Sequence, residues 1–286
     1  MKINLKKITM NRRQFIQTGA AFSVLATAGT SAFAKKSVLK DFGCQLYSVR
    51  DKMAKDPINT MRALASMGYT QFESYSKDPY WGMDTAAAKS FFKEIGVNVV
   101  STHMGLADVN DASAEKAKEI GLKYLITPYI GPQKSEDEWK KRAEDFNKAG
   151  EICKKHGLKF GYHNHGYSFE TKDGVRGQDI LLANTDPKLV IFELDIYWAE
   201  VAGENSIKHF EKYAGRYELC HVKQLVTRDP KPAQGVLKGG LLDYSAILKA
   251  AKKSGVKYFM VEQEQYAGDS LDAMKENADF MKTLVL

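Results

Sequence analysis

From about Asp41 onward, short runs rich in β-branched and aromatic residues alternate with longer stretches in which apolar positions recur every three or four residues. The first pattern reads as strands and the second as amphipathic helices. Eight strands are expected, at 42–48, 69–74, 98–103, 123–128, 159–164, 189–195, 218–223 and 257–262. Helices fall between them, among them Thr85 to Ile95, Ser113 to Ile120, Glu136 to His156, Tyr244 to Lys253 and Asp269 to Thr283. Gly68, Gly96, Gly121, Gly157 and Gly255 punctuate the helix-to-strand turns, where left-handed caps are expected. Eight β-α units in ~250 residues predict an α/β fold, a (β/α)8 TIM barrel occupying 35–286 as a single domain.

In such a barrel, chemistry sits at the C-terminal ends of the strands. Four apolar runs finish there on metal-binding side chains: Tyr162-His163-Asn164-His165, Phe192-Glu193-Leu194-Asp195, Cys220-His221-Val222-Lys223 and Phe259-Met260-Val261-Glu262. Of the six histidines, His103, His163, His165 and His221 lie at or near strand ends, whereas His156 and His209 lie on helices and read as surface residues. Asp195, His221 and Glu262 end strands six, seven and eight, which are neighbours around the barrel. Their mixed oxygen and nitrogen set suits one divalent manganese, cobalt, zinc, magnesium or iron ion rather than a thiolate-loving one. An Asp at a strand end also serves as a helix cap or turn residue, so it is the combination that points to metal.

His163 and His165 are two apart, so the strand period turns both the same way, one toward the metal and the other toward substrate. Glu193 shares the face of Asp195 one layer deeper, either in a direct role or as a buried carboxylate paired with Lys223 or a histidine. Lys223 shares the inward face of His221 and suits either a substrate oxygen or an ion pair with Glu193. Gln45 and Tyr47 alternate inward on strand one, and Glu73 and His103 end strands two and three. All four suit substrate hydroxyls, with core hydrogen bonding as the plainer alternative. Tyr75, Tyr80 and Trp81 follow strand two, and Tyr197 and Trp198 follow Asp195. Trp81 and Trp198 are the expected sugar-facing rings, against an alternative of loop packing. The segment from Gln224 to Gly240, with Pro230, Pro232 and Gly235, reads as a lid.

Composition changes this picture chiefly at the N-terminus. Residues 1–34 carry Arg12-Arg13-Gln14-Phe15, then a small and apolar run, then Ala32-Phe33-Ala34. This order of basic region, hydrophobic region and A-x-A site is that of an export signal, and the paired arginines resemble the twin-arginine type. The expected location is the periplasm, with a retained membrane anchor as the alternative. The apolar run is shorter than the ~20 residues of a spanning helix, so no stable span is expected after cleavage. The net charge of +7 includes five basic residues and no acid in 1–34 and falls to +2 for the remainder, which gives no footprint for nucleic acid. Cys44, Cys153 and Cys220 lack C-x-x-C spacing and read as buried free thiols.

The chain resembles the sugar phosphate isomerase/epimerase family of xylose isomerase-like TIM barrels, which also includes inosose dehydratases and metal-dependent apurinic endonucleases. The likeness rests on Gln45-Leu46-Tyr47-Ser48-Val49-Arg50, Gly68-Tyr69, Tyr162-His163-Asn164-His165, Leu194-Asp195, His221-Val222-Lys223, Gly240-Leu241-Leu242-Asp243-Tyr244 and Val261-Glu262. The resemblance implies one divalent ion held by His163 or His165, Asp195, His221 and Glu262. Set against it, a histidine ends strand five where family epimerases carry a glutamate, and Gln224 stands in place of the usual aspartate. The expected activity is a metal-dependent sugar isomerase or epimerase acting through an enediolate. Glu262, His163, His165 and Lys223 are its catalytic candidates, and a small carbohydrate is its substrate. A carbon-oxygen lyase acting on keto-sugars or 3-keto-glycosides and a non-catalytic sugar-binding barrel are the alternatives. The homo-oligomeric state is left open.

Overall fold

The computed structural model describes residues 38–75, 78 and 81–286, and all eight expected strands are present in it. They are β1 (Gly43–Gln45), β2 (Gln71–Ser74), β3 (Asn98–His103), β4 (Tyr124–Thr127), β5 (Lys159–His163), β6 (Val190–Asp195), β7 (Tyr217–Val222) and β8 (Tyr258–Val261). Each pairs in parallel with its neighbours in sequence, and β8 returns to pair with β1, closing the barrel. The expected export signal and the ring of Tyr80 lie outside the described residues.

Helices occupy the outer layer at the expected places, including Thr85–Glu94, Asp111–Ile120, Glu136–Lys155, Tyr244–Ser254 and Ser270–Met281. The five turn glycines all have positive φ, between 70° and 111°, a region costly for residues with a Cβ. One apolar core lies between the helices and the strands, and a smaller one fills the lower barrel. The smaller core is made of Val100, Tyr124, Ile126, Ile191, Leu219 and Met260. The same inward parity then runs upward: Ile191 leads to Glu193 and Asp195, Leu219 to His221 and Lys223, and Met260 to Glu262. An apolar floor therefore supports a charged layer at the C-terminal ends of the strands.

Four expectations are corrected. The first strand stops at Gln45, because the Gln45 side chain accepts the Tyr47 N–H at 3.0 Å and caps a 3-10 turn over Leu46–Val49. Tyr47 is consequently on a turn at the mouth rather than on an inward strand position. The expected lid is a hairpin in which Gln224–Thr227 pairs antiparallel with Ala233–Gly235. Gln224 is buried and its amide donates to Leu237 O at 2.8 Å, which braces the return of this segment. His209 is buried, 2.7 Å from the Tyr217 hydroxyl, whereas His156 is partly exposed beside Asp111. The three cysteines are free and buried, as expected. Among the described residues, no helix is long and apolar enough to cross a membrane.

Candidate active site

At the lowest level of the charged layer, Glu73 is fully buried and its hydrogen bonds are intramolecular. Gln45 Nε2 donates to its Oε1 at 2.8 Å, and Ser101 Oγ donates to its Oε2 at 2.6 Å. Above it, three imidazoles converge on one carboxylate oxygen. Glu193 Oε2 lies 2.9 Å from His103 Nε2, 3.1 Å from His163 Nδ1 and 3.2 Å from His221 Nε2. Glu73 Oε1 reaches the same place, 2.7 Å from His221 Nε2 and 3.1 Å from His103 Nε2.

The upper level uses the opposite ring nitrogens. His221 Nδ1 is 3.0 Å from Glu262 Oε2 and 3.9 Å from Asp195 Oδ2, while His163 Nε2 is 3.7 Å from Asp195 Oδ2. Asp195 divides its work between two oxygens. Oδ1 accepts the Trp198 N–H at 2.9 Å and caps the helix Ile196–Val201, but buried Oδ2 has no hydrogen-bond partner. Lys223 Nζ sits beside this set, 2.7 Å from Glu264 Oε2, 3.0 Å from Glu262 Oε2 and 3.5 Å from Asp195 Oδ2.

These contacts set the charges. Burial alone would lower the His103 pKa, but the adjacent Glu73 and Glu193 charges overcome it and raise it to about 9. His221 is raised in the same sense by Glu193 and Glu262 against the pull of burial. His163 is pushed well below its ordinary value by burial and by the positive charge of His221, so it is neutral. Asp195 is pushed up to about 6 by burial, which Lys223 and His221 only partly offset. Glu262 is also penalised by burial, yet Lys223 and His221 hold it below the usual carboxylate range.

A cavity of about 410 Å³ opens over this layer. Tyr47, Tyr75 and Tyr129 contribute rings to its walls, and His103, His163, His165, Lys223, Glu262 and Glu264 contribute polar groups. His165 is brought to about 4 by burial and by the Lys223 charge, so it is a neutral imidazole, and its Nδ1 has no hydrogen-bond partner. Its ring lies against Tyr167 at 6.0 Å and Trp198 at 5.7 Å, which fixes the ring plane at the wall.

A sequence model of the xylose isomerase-like TIM barrel matches residues 61–284. The chain belongs to this family. Among its relatives is an inosose dehydratase of Clostridium perfringens, 32% identical over 148 residues, 46% of this chain and 49% of that protein. The chain thus spans about half the length of the curated relatives it matches. A crystal structure of a sugar phosphate isomerase/epimerase from Parabacteroides distasonis superposes with a TM-score of 0.73 at 27% identity. That match covers 88% of this chain and 97% of the other. A 3-keto-D-glucoside 4-epimerase from E. coli, 15% identical with a TM-score of 0.67 over 86% of this chain and 99% of the other, shares the fold.

Within this xylose isomerase-like barrel, the structure brings together His163, Asp195, His221 and Glu262, with Lys223 beside them. His163 and His165 do face the same way, and their rings are 5.2 Å apart. Gln45 and Glu73, expected at substrate hydroxyls, are instead fully buried and do not line the cavity, because each is bonded to the other in the level below. Trp81 and Trp198 stand behind the walls rather than on them. Trp81 packs on Tyr75 at 5.1 Å and Trp198 on His165. Of the two pairings open to buried Glu193, the one with histidine forms and the one with Lys223 does not, since Lys223 pairs with Glu262 and Glu264. Sequence reasoning missed Glu264 and Tyr129. Glu264 lies two residues beyond Glu262, and extending the strand parity past the strand end points to it.

Two buried sets of side chains have the spacing of metal ligands: His103, His163, Glu193 and His221, and Asp195, His221 and Glu262. Mixed imidazole and carboxylate donors and the partnerless Asp195 oxygen fit a divalent ion of the kind the sequence points to.

Proposed function

We propose that this protein is a divalent-metal-dependent sugar isomerase or epimerase that moves a proton next to a carbonyl. The observation that carries the reading is a neutral imidazole, His165, and a carboxylate, Glu262, on one cavity above a buried cluster of metal-ligating side chains. His163 and His221, with carboxylates from Asp195, Glu193 or Glu262, would hold the ion. When bound, a divalent ion there would polarise a carbonyl and its neighbouring hydroxyl and offset the negative charge that develops as a proton leaves.

The side chains supply the rest. His165 and Glu262 are the groups that take the proton from carbon and return it. They stand at β5 and β8, three strands apart around the mouth. Lys223, held by Glu262 and Glu264, presents its ammonium to a substrate oxygen. Tyr47, Tyr75 and Tyr129 suit the apolar face of a sugar ring. Return of the proton to another face or carbon gives epimerisation or isomerisation.

A second reading, a carbon-oxygen lyase on keto-sugars or 3-keto-glycosides, is favoured by His163 at the end of β5. An imidazole there replaces the expected glutamate partner of a two-carboxylate epimerisation. The dehydratase relative agrees with this reading. Export by the twin-arginine-like leader belongs to either reading and is tested by cell fractionation of the full chain.

The deciding experiment incubates the metal-loaded protein in D2O with free sugars and with 3-keto-glycosides and follows products by NMR and mass spectrometry. Deuterium in an intact epimer or isomer is the expected result. Release of an aglycone or an unsaturated sugar assigns the lyase, and ligand binding without exchange or turnover assigns a binding protein.

A further inference from the structure

The cavity over the charged layer is divided by strand. Its polar side chains His163, His165, Lys223, Glu262 and Glu264 stand at or just after the ends of β5, β7 and β8. The lining residues that follow β1 to β4 are apolar or aromatic instead: Tyr47, Tyr75, Met104, Gly105, Pro128 and Tyr129. His103, the last residue of β3, is the polar exception, and its Nε2 is turned to Glu193 Oε2 at 2.9 Å. Neighbours fix the rings of the apolar half. Tyr75 packs edge-on against Tyr47 at 5.2 Å and Trp81 at 5.1 Å, and the Arg50 guanidinium lies over the Tyr47 ring at 4.6 Å. After β4, Tyr129 stands edge-on to His165 at 5.7 Å and to Tyr167 at 5.4 Å, yet it is 60% exposed.

We infer that the apolar half receives a flat apolar aglycone, so that the substrate is a glycoside whose sugar ring lies over β5 to β8 and whose aryl group lies against Tyr75, Met104, Pro128 and Tyr129. The proposal rests on the sugar-processing reading above and names the substrate class within it. A sugar ring carries hydroxyls around its edge, and each one buried without a partner costs free energy. The side chains after β5, β7 and β8 supply imidazole, ammonium and carboxylate partners for one such ring, whereas those after β1 to β4 supply only tyrosine hydroxyls. An aryl group asks for no hydrogen bonds and gains from burial against rings already held in place. A phosphate fits the cavity poorly. Among the described residues lining it, Lys223 is the only lysine or arginine, and it already contacts Asp195, Glu262 and Glu264. The volume of about 410 Å³ lies within the roughly 300–1,000 Å³ of sites that enclose drug-sized ligands, which accommodates a sugar with such a substituent.

The test is titration calorimetry of the metal-loaded full chain with phenyl D-glucoside, methyl D-glucoside and methyl D-glucoside 6-phosphate, in both anomers. None of these has a free carbonyl, so binding is read without turnover. Phenyl glucoside is expected to bind at least about tenfold more tightly than methyl glucoside, as burial of one ring allows, and the 6-phosphate no more tightly than methyl glucoside. Tyr129→Ala and Tyr75→Ala, each checked for folding by circular dichroism, are expected to reduce the preference for phenyl over methyl at least about fivefold, with Tyr129→Phe retaining it. A wild-type protein with no phenyl preference, tighter binding of the 6-phosphate, or no binding of any of the three at millimolar concentration overturns the proposal. A preference that survives in both alanine variants also overturns it, since the rings would then serve the sugar or nothing. The deuterium experiment separates this proposal from the catalytic reading. Exchange or elimination in a protein without phenyl preference leaves the catalytic reading standing, and a phenyl preference without either reaction leaves the aglycone site standing.

Discussion

His103 shows how a single residue's role depends on a partner that sequence does not place beside it. It ends β3, and Glu193 reaches it from β6 across the barrel. Its pKa of about 9 lies above the ordinary value for histidine, so its ionic contribution is complete below about 6.5 and is lost as pH rises through about 9. In the metal-free protein this predicts a fall of roughly 3 kcal/mol in unfolding free energy between pH 6 and pH 9.5, beyond any change seen in His103→Gln. Urea unfolding of both proteins at the two pH values checks it, and parallel profiles would refute it. Asp195 teaches the converse lesson. The cap reading and the ligand reading of an acid at a strand end are compatible, because Oδ1 binds the Trp198 N–H and leaves Oδ2 free of hydrogen bonds.

At the scale of elements, β5 carries the site through a glycine. A Cβ at Gly161 would stand 2.8 Å from Ile191 Cδ1 and 3.2 Å from Ile126 Cγ1, so the missing side chain lets the floor close beneath His163. Gly161→Ala is expected to lower stability by about 1–3 kcal/mol through overpacking and to weaken Zn2+ binding by shifting His163. Urea unfolding and a chelator competition measure the two effects. The strands themselves were legible, since periodicity and turn glycines placed all eight. The exceptions have local causes. Gln45 diverts the chain into a 3-10 turn by binding the Tyr47 N–H, and buried Gln224 converts an apparent loop into a braced hairpin. Side-chain bonds to backbone are invisible to a reading based on hydrophobic period.

The whole barrel separates stability from chemistry along its axis. At the N-terminal end, Glu218 binds Lys159 at 2.5 Å, Lys257 at 3.0 Å and the Tyr124 hydroxyl at 2.6 Å. Burial would raise the Glu218 pKa, but these three partners outweigh it and hold the group below the usual range. Its contribution is present above the unfolded carboxylate value and lost as pH falls through the folded one. Glu218→Gln should therefore cost about 1–2 kcal/mol near neutral pH while changing kcat by less than about twofold. Denaturant melts and steady-state assays check this together, and a large loss of kcat would contradict the separation. The sequence by itself determined the barrel, the inward parity of Asp195, His221, Lys223 and Glu262, and the metal-ligating character of the strand ends, because local period and residue chemistry carry that information. Only the tertiary structure decided the pairings: Glu193 with three histidines, Lys223 with Glu264, and Gln45 with Glu73 beneath the cavity. Those partners come from separate strands, and their heights and distances are fixed by barrel closure and packing rather than by spacing along the chain.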